Sequence, residues 1–76
     1  MPVIFRDSGL RFIIFVDDHS PAHVHVEGKG GSAKIAIDDA SLIWTRNLGR
    51  TDVIRAVNVV KSQQAEFRTA WQKIHG

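Results

Sequence analysis

Three of the four histidines of this chain lie in one short stretch, which also holds a proline and several carboxylates. The stretch reads Asp17-Asp18-His19-Ser20-Pro21-Ala22-His23-Val24-His25-Val26-Glu27. Imidazole nitrogens and carboxylate oxygens bind divalent transition metals, and imidazoles also act as general acids and bases. This stretch is therefore the candidate functional site.

Strand geometry is expected to place two of these histidines on one face. Pro21 disfavours helical backbone at the preceding Ser20, so we expect a loop that feeds a strand beginning near His23. Alternation along the strand points His23 and His25 to one side and the valines to the other. The Cα atoms of the two histidines are then roughly 6.5 Å apart, a spacing that one metal ion can bridge.

A metal site is one hypothesis for the cluster. His19, His23 and His25 would supply three nitrogen ligands, and Asp17 or Asp18 would add an oxygen. Such a set suits zinc, iron, nickel or copper. A divalent transition metal such as zinc is thus the cofactor to consider, although the pattern completes no recognised signature and predicts no cofactor firmly.

Metal-free acid and base chemistry is a second hypothesis, and it depends on which residues of the next strand lie opposite the histidines. Glycines at 28 to 31 predict a turn, after which Ala33 to Ile37 forms the next strand. The expected cross-strand pairs are Val24 with Ile35, His25 with Lys34, and His23 with Ala36. An ammonium beside the imidazoles disfavours a bound cation and favours an anion.

A small ribonuclease could be assembled from these residues. His23 and His25 would divide the base and acid roles on a phosphodiester, and Lys34 would stabilise the developing charge. Arg11 or Lys34 would hold the phosphate as an anion-binding group. A third hypothesis is structural: the histidines hydrogen-bond the carboxylates and backbone of the loop, and the exposed face binds a partner. Whether the protein is an enzyme stays open.

Composition indicates one small domain, spanning residues 1–76, with no cysteine for disulfides or thiolate zinc sites. We find neither a signal peptide nor a membrane-spanning run, so we expect a cytoplasmic protein without a membrane partner. Charge is uneven, because residues 41–76 carry six basic and two acidic side chains. A solvated helix face explains this excess, and a phosphate-bearing partner such as RNA is the alternative.

Five short β segments followed by helical periodicity predict an α+β fold. We expect a mainly antiparallel sheet of four to five strands, packed on one face by a long C-terminal helix. The predicted strands are Val3 to Phe5, Leu10 to Val16, His23 to Glu27, Ala33 to Ile37, and Leu42 to Thr45. The helix should begin after Gly49 with Thr51 as N-cap and continue to Ile74.

Two features of this fold favour association. An unbroken helix to Ile74 would be about 36 Å long, so it either breaks near Ser62-Gln63 or projects from the domain to pack on something else; we favour the projecting end. The second strand, with Phe12 to Val16 all apolar, needs cover on both faces. A homodimer or a small cognate partner would supply that cover, and a curled part of the same sheet is the alternative.

Several motifs, in the order in which they occur along the chain, resemble the uncharacterised bacterial domain-of-unknown-function family 4160. The resemblance rests on Met1-Pro2-Val3-Ile4, Asp17-Asp18-His19, the His19-Ser20-Pro21-Ala22-His23-Val24-His25-Val26 core, the glycine turn and a helix closing on Trp71. The family typically has two prolines in the loop, where this chain has Pro21-Ala22. The resemblance implies a small bacterial protein, often encoded beside another small protein, and hence an interaction module or one component of a toxin-antitoxin-like pair.

Overall fold

A computed structural model describes residues 3–76, so the Met1-Pro2 part of the resemblance lies outside the described residues. Within this range five strands precede two helices. The strands are β1 (Val3–Asp7), β2 (Leu10–Ile13), β3 (His23–Gly28), β4 (Gly31–Ala36) and β5 (Leu42–Arg46). The helices are α1 (Arg50–Ser62) and α2 (Gln64–His75). Among the described residues, no helix is long and apolar enough to cross a membrane.

The five strands form one antiparallel sheet in chain order, which confirms the predicted α+β fold. Short connections join β1 to β2, β3 to β4 and β4 to β5, as expected where turn residues separate alternating segments, and a longer loop joins β2 to β3. The β3–β4 hairpin has the predicted register, with His25 opposite Lys34 and Val24 opposite Ile35. Its two turn residues, Lys29 and Gly30, both have positive φ, at 52° and 78°, as the turns that match strand twist require.

The hydrophobic core lies between one face of this sheet and the two helices. Strand residues of alternate parity point into it, and each helix contributes its apolar stripe. Phe5, Phe12 and Phe67 meet there with ring centroids 5.9 to 6.0 Å apart. The buried core side chains are Leu10, Phe12, Ile14, Val24, Val26, Ala33, Ile35, Ile37, Ala40, Ala56, Val60 and Phe67.

The helical segment is interrupted at Gln63, so the expectation of a projecting helix end is wrong. Gln63 leaves the helical region, with φ −113° and ψ 20°. The next residue, Gln64, donates its side-chain amide to the carbonyls of Ile37 and Asp38 at 3.0 and 3.1 Å, which ties the start of α2 to the end of β4. Trp71 then packs back against the core.

The start of the first helix also differs from the prediction. The N-cap is Gly49, in extended conformation and without a side-chain capping bond, and Thr51 lies inside α1. The first helical backbone bond runs from the Val53 N–H to the Gly49 carbonyl at 3.0 Å. The helix therefore begins without the side-chain cap that the sequence predicts.

The apolar second strand does not require a partner chain to cover it. Phe12 points into the helix-covered core, and Ile13 points to the opposite face. Ile13 is nevertheless 0% exposed within the single chain. Beyond the strand, Val16 is 72% exposed. The predicted homodimer or cognate partner stays a prediction, without support from the burial of β2.

Candidate metal site

The loop between β2 and β3 turns one carboxylate towards the histidines. The Asp18 N–H donates to the Phe15 carbonyl at 3.1 Å, and the Phe15 N–H donates to Asp18 Oδ2 at 3.0 Å. This reciprocal pair closes a tight turn and fixes the carboxylate by one oxygen. The other oxygen, Oδ1, is left to face the start of β3.

The free oxygen of Asp18 meets both histidines of β3. Its Oδ1 lies 3.4 Å from Nε2 of His23 and 3.4 Å from Nε2 of His25. The side chains are 12%, 5% and 22% exposed in the order Asp18, His23, His25. One donor atom from each residue lies within 4.8 Å of the others, so the three form a compact cluster.

The ring of His23 is held in one orientation by the backbone. Its Nδ1 lies 2.8 Å from the Pro21 carbonyl, which can only accept, so Nδ1 carries the proton. In the neutral imidazole, Nε2 then bears a lone pair. That nitrogen is buried and has no hydrogen-bond partner among the described residues. A buried nitrogen facing a carboxylate oxygen at this distance is stabilised by a positive charge between the two atoms, which either a proton on Nε2 or a metal ion would supply.

Aromatic contacts hold both imidazoles in place. The Phe15 ring packs edge-on against His25 with centroids 4.7 Å apart. On the other side, Trp71 of α2 lies 5.3 Å from the ring of His23 and stacks on His75 at 3.9 Å. The loop, the strand and the second helix thus all contribute to fixing the cluster.

The electrostatics of the cluster favour an ionised carboxylate. Burial by itself raises the pKa of the Asp18 carboxyl. The hydrogen bond from the Phe15 N–H, the positive charges that His23 and His25 carry when protonated, and a side-chain hydrogen bond with His25 together outweigh it, so the pKa lies below its ordinary value. Asp18 is therefore a charged oxygen donor at neutral pH.

The cluster borders a pocket of about 410 Å³. Loop residues form one wall, and β3, β4 and β5 form the other. The lining residues are Asp17, Asp18, His19, Ser20, Pro21, His23, His25, Lys34 and Ile43. The pocket joins the cluster to a cation, Lys34, and to an apolar side chain, Ile43.

The structure brings together most of the side chains that the sequence singled out. His23, His25 and Lys34 share the pocket, and His19 lies at its exposed rim. The cluster of possible metal ligands consists of His23, His25 and Asp18, and His19 is not part of it. Arg11, predicted to hold an anion, pairs with Glu27 at 3.6 Å and lines a different pocket.

Two contributors to the site were not predicted from the sequence. Phe15 and Trp71 contact the imidazoles, but both have the types and spacing of ordinary core residues. Trp71 comes from the far end of the chain, so no local pattern indicates its position beside His23. Only the return of α2 across the sheet creates that contact.

Fold and cluster together define a small α+β protein in which an antiparallel sheet presents two histidines to a loop carboxylate. The family described as Domain of unknown function (DUF4160) matches residues 9–72, which is most of the chain, and the chain belongs to that family. This match confirms the family resemblance. Comparisons with curated proteins and with solved structures find no match.

Proposed function

We propose that this chain binds a divalent transition metal ion through Asp18, His23 and His25. The observation that carries the proposal is the buried Nε2 of His23, which has no partner and lies 3.4 Å from a carboxylate oxygen. Metal-bound histidines commonly donate their other ring N–H to a backbone carbonyl, which fixes the tautomer. His23 has this arrangement with Pro21.

The distances in the cluster suit a small ion. With bonds of about 2.0 to 2.1 Å, a tetrahedral ion holds its ligand atoms about 3.3 to 3.4 Å apart. Both Nε2 to Oδ1 distances are 3.4 Å. The three donor atoms all lie within 4.8 Å of one another, so the two imidazole nitrogens would need to approach by at most about 1.4 Å to reach one ion.

The donor set also indicates what kind of metal site this is. Two imidazoles and one carboxylate suit zinc or iron(II), and three protein ligands leave coordination positions for water or substrate. A purely structural zinc site would use four protein ligands. The pocket lined by Lys34 and Ile43 also includes Asp18, His23 and His25, so a molecule in this pocket would lie beside the ion. We therefore infer a site at which the metal can meet a second molecule.

Metal titration of untagged protein tests the proposal. After chelator treatment, zinc should bind at one ion per chain in calorimetry and raise the unfolding midpoint. His23→Ala and the near-isosteric Asp18→Asn should each weaken binding by about 100-fold or more, since losing a direct ligand costs at least as much as losing its support. Circular dichroism would show that both variants remain folded.

A second histidine provides a matched control. His75 also points Nδ1 at a carbonyl, that of Trp71 at 3.2 Å, and its buried Nε2 has no partner among residues 3–76. Within residues 3–76 it belongs to no such donor cluster, so His75→Gln should bind zinc normally. His19→Gln tests the predicted third histidine ligand. Absence of saturable binding, or full binding by folded His23→Ala, would overturn the proposal.

The interaction module expected from the sequence is a second candidate function, as one component of a toxin-antitoxin-like pair. Edge strand β5 supports it, because Leu42, Ile43 and Trp44 are 40 to 46% exposed beside unpaired backbone groups. Light scattering should detect a dimer or a heteromer that Ile43→Lys disrupts. Ile54→Lys, at an equally exposed apolar position on α1, is the control. A monomer at all concentrations would exclude self-association.

Ribonuclease chemistry by His23, His25 and Lys34 has less support. The Nε2 of His23 is buried and faces Asp18, so it is poorly placed to exchange protons with a phosphodiester. Incubating RNA with the protein in chelator tests this alternative. Cleavage that His25→Ala abolishes would favour it, and intact RNA would count against it.

A further inference from the structure

We propose that the pocket beside the metal site binds a small organic carboxylate, held between the metal ion and the ammonium group of Lys34. This inference rests on the proposed metal site and names the substrate class of that site. The carboxylate would occupy coordination positions that the three protein ligands leave open. Its apolar part would lie against Ile43.

The position of Lys34 follows from the sheet register. Lys34 is the cross-strand partner of His25, so the two side chains are neighbours on the same face of the sheet. Both line the pocket. A ligand bound to the metal through an oxygen is therefore within the region that the lysine side chain can reach.

Among the described residues, Lys34 has no ion-pair partner of its own, in contrast to Lys29 and Arg68, and it shares this with exposed cations such as Arg55 and Lys61. Lys29 pairs with Asp52 at 3.3 Å, and Arg68 pairs with Asp38 at 3.2 Å. No carboxylate of residues 3–76 lies within ion-pair distance of Lys34. An ammonium beside a metal site, without an anion of its own, disfavours the bare cation and favours an anionic ligand.

The charge of the pocket supports the same class of ligand. Its charged lining residues are Asp17, Asp18 and Lys34. The two carboxylates carry two negative charges, whereas a bound dication and the ammonium group together carry three positive charges. The pocket with a metal ion bound is therefore net positive. Charge complementarity then attracts an anion and orients it towards the metal.

The apolar lining distinguishes an organic acid from inorganic phosphate. Ile43 is 46% exposed at the pocket and Pro21 lies across from the strand wall. A pocket of about 410 Å³ has room for several non-hydrogen atoms beyond a carboxylate. Each additional methylene that becomes buried would tighten binding by up to about fourfold.

Anion titration of the cobalt(II)-loaded protein tests this inference, because the visible spectrum reports coordination of the ion. Acetate and butyrate should each change the spectrum saturably, with butyrate binding more tightly. Lys34→Gln should weaken both by about 10-fold or more, as expected for a lost charge-assisted contact. Lys61→Gln, an exposed position on α1, should bind like the parent.

Two further measurements separate the possible failures. Cobalt(II) affinity of Lys34→Gln should equal or exceed that of the parent, because a repulsive charge is removed. If the parent protein binds no metal, the proposed function fails. If metal binds but Lys34→Gln binds carboxylates as well as the parent does, only this inference fails. Binding of inorganic phosphate without binding of carboxylates would also overturn it.

Discussion

The two ends of the β3–β4 hairpin are built on different principles. At the turn end, Gly28 and Gly31 allow backbones to touch: a Cβ at Gly28 would overlap the Gly9 carbonyl, and one at Gly31 would overlap the Asn47 carbonyl. At the open end, His23 brings a polar, buried nitrogen against a carboxylate. Close packing stabilises the first end, whereas the polar contact at the second end is stabilising only with a proton or a metal ion between nitrogen and oxygen.

The turn end of the hairpin contributes to stability, whereas the open end carries the side chains that can bind a ligand. At Gly28 and Gly31 the space that a Cβ would need is filled by neighbouring backbone, so the glycine turn is a structural element. A buried polar group without a protein partner is uncommon, and beside a carboxylate and a second histidine it marks a position where an ion can bind. The open end of the hairpin therefore carries the proposed function.

The largest effect is expected at the turn end. Gly31→Ala should lower the free energy of unfolding by about 3 kcal/mol or more, because its Cβ overlaps backbone atoms of Arg46 and Asn47 that cannot move without disrupting the β4–β5 pairing. Urea denaturation measures the loss. Gly49→Ala, where the new Cβ meets nothing closer than 3.9 Å, should cost about 1 kcal/mol or less. Equal losses in both variants would show that packing at the turn end is not special.

An intermediate effect is expected where α2 attaches to the sheet. Gln64→Ala should lower the free energy of unfolding by about 1 to 2 kcal/mol, because it leaves the carbonyls of Ile37 and Asp38 without their amide donor. Gln72→Ala, at an exposed position on the same helix, should change it by less than about 0.5 kcal/mol. If the two variants behave alike, the amide contacts do not anchor the helix.

A smaller effect of opposite sign is expected at the open end. In metal-free protein at mildly alkaline pH, Asp18→Asn should raise the free energy of unfolding by about 1 kcal/mol. The amide can still accept from the Phe15 N–H, and its NH₂ group can donate to the bare Nε2 of His23. The same variant should lose metal affinity. Thermal melts with and without zinc measure both changes.

The matched control for this variant is the neighbouring acid. Asp17→Asn, at an exposed position, should change neither the unfolding free energy of metal-free protein nor the number of zinc ions bound. Destabilisation by Asp18→Asn in the absence of metal would mean that the carboxylate already has a stabilising partner. In that case the contrast between the two ends of the hairpin disappears.

The smallest effect is expected at the exposed turn between β4 and β5. Hydrogen bonds from the side chain and backbone N–H of Ser41 lower the pKa of the Asp39 carboxyl in the folded protein. A carboxyl whose pKa is lowered by folding stabilises the folded protein at pH values above its ordinary pKa of 3.8. This contribution is lost as the pH falls through the folded pKa. The unfolding free energy of Asp39→Asn should therefore fall slightly below that of the parent near neutral pH and converge with it in acid. A difference that persists in strong acid would contradict this.

Much of the fold follows from local patterns. Alternation of apolar residues defines the strands, and the glycine turn fixes the hairpin register that places Lys34 opposite His25. The break at Gln63 was only one of two alternatives, because it depends on the Gln64 amide reaching carbonyls at the end of β4. Contacts between residues distant in sequence leave no periodic signal. The sequence pattern therefore does not distinguish a second helix that packs on the sheet from a single helix that projects beyond it.

The sequence by itself determined that His23 and His25 share one side of a strand, because alternation is a property of the backbone and needs no tertiary contact. Tertiary structure decided which neighbour joins them. Asp17 and Asp18 are equivalent as sequence letters, but the Phe15 N–H holds Asp18 alone with one oxygen towards the strand. Burial of the His23 Nε2, which carries the functional proposal, likewise arises only when loop, strand and helix meet.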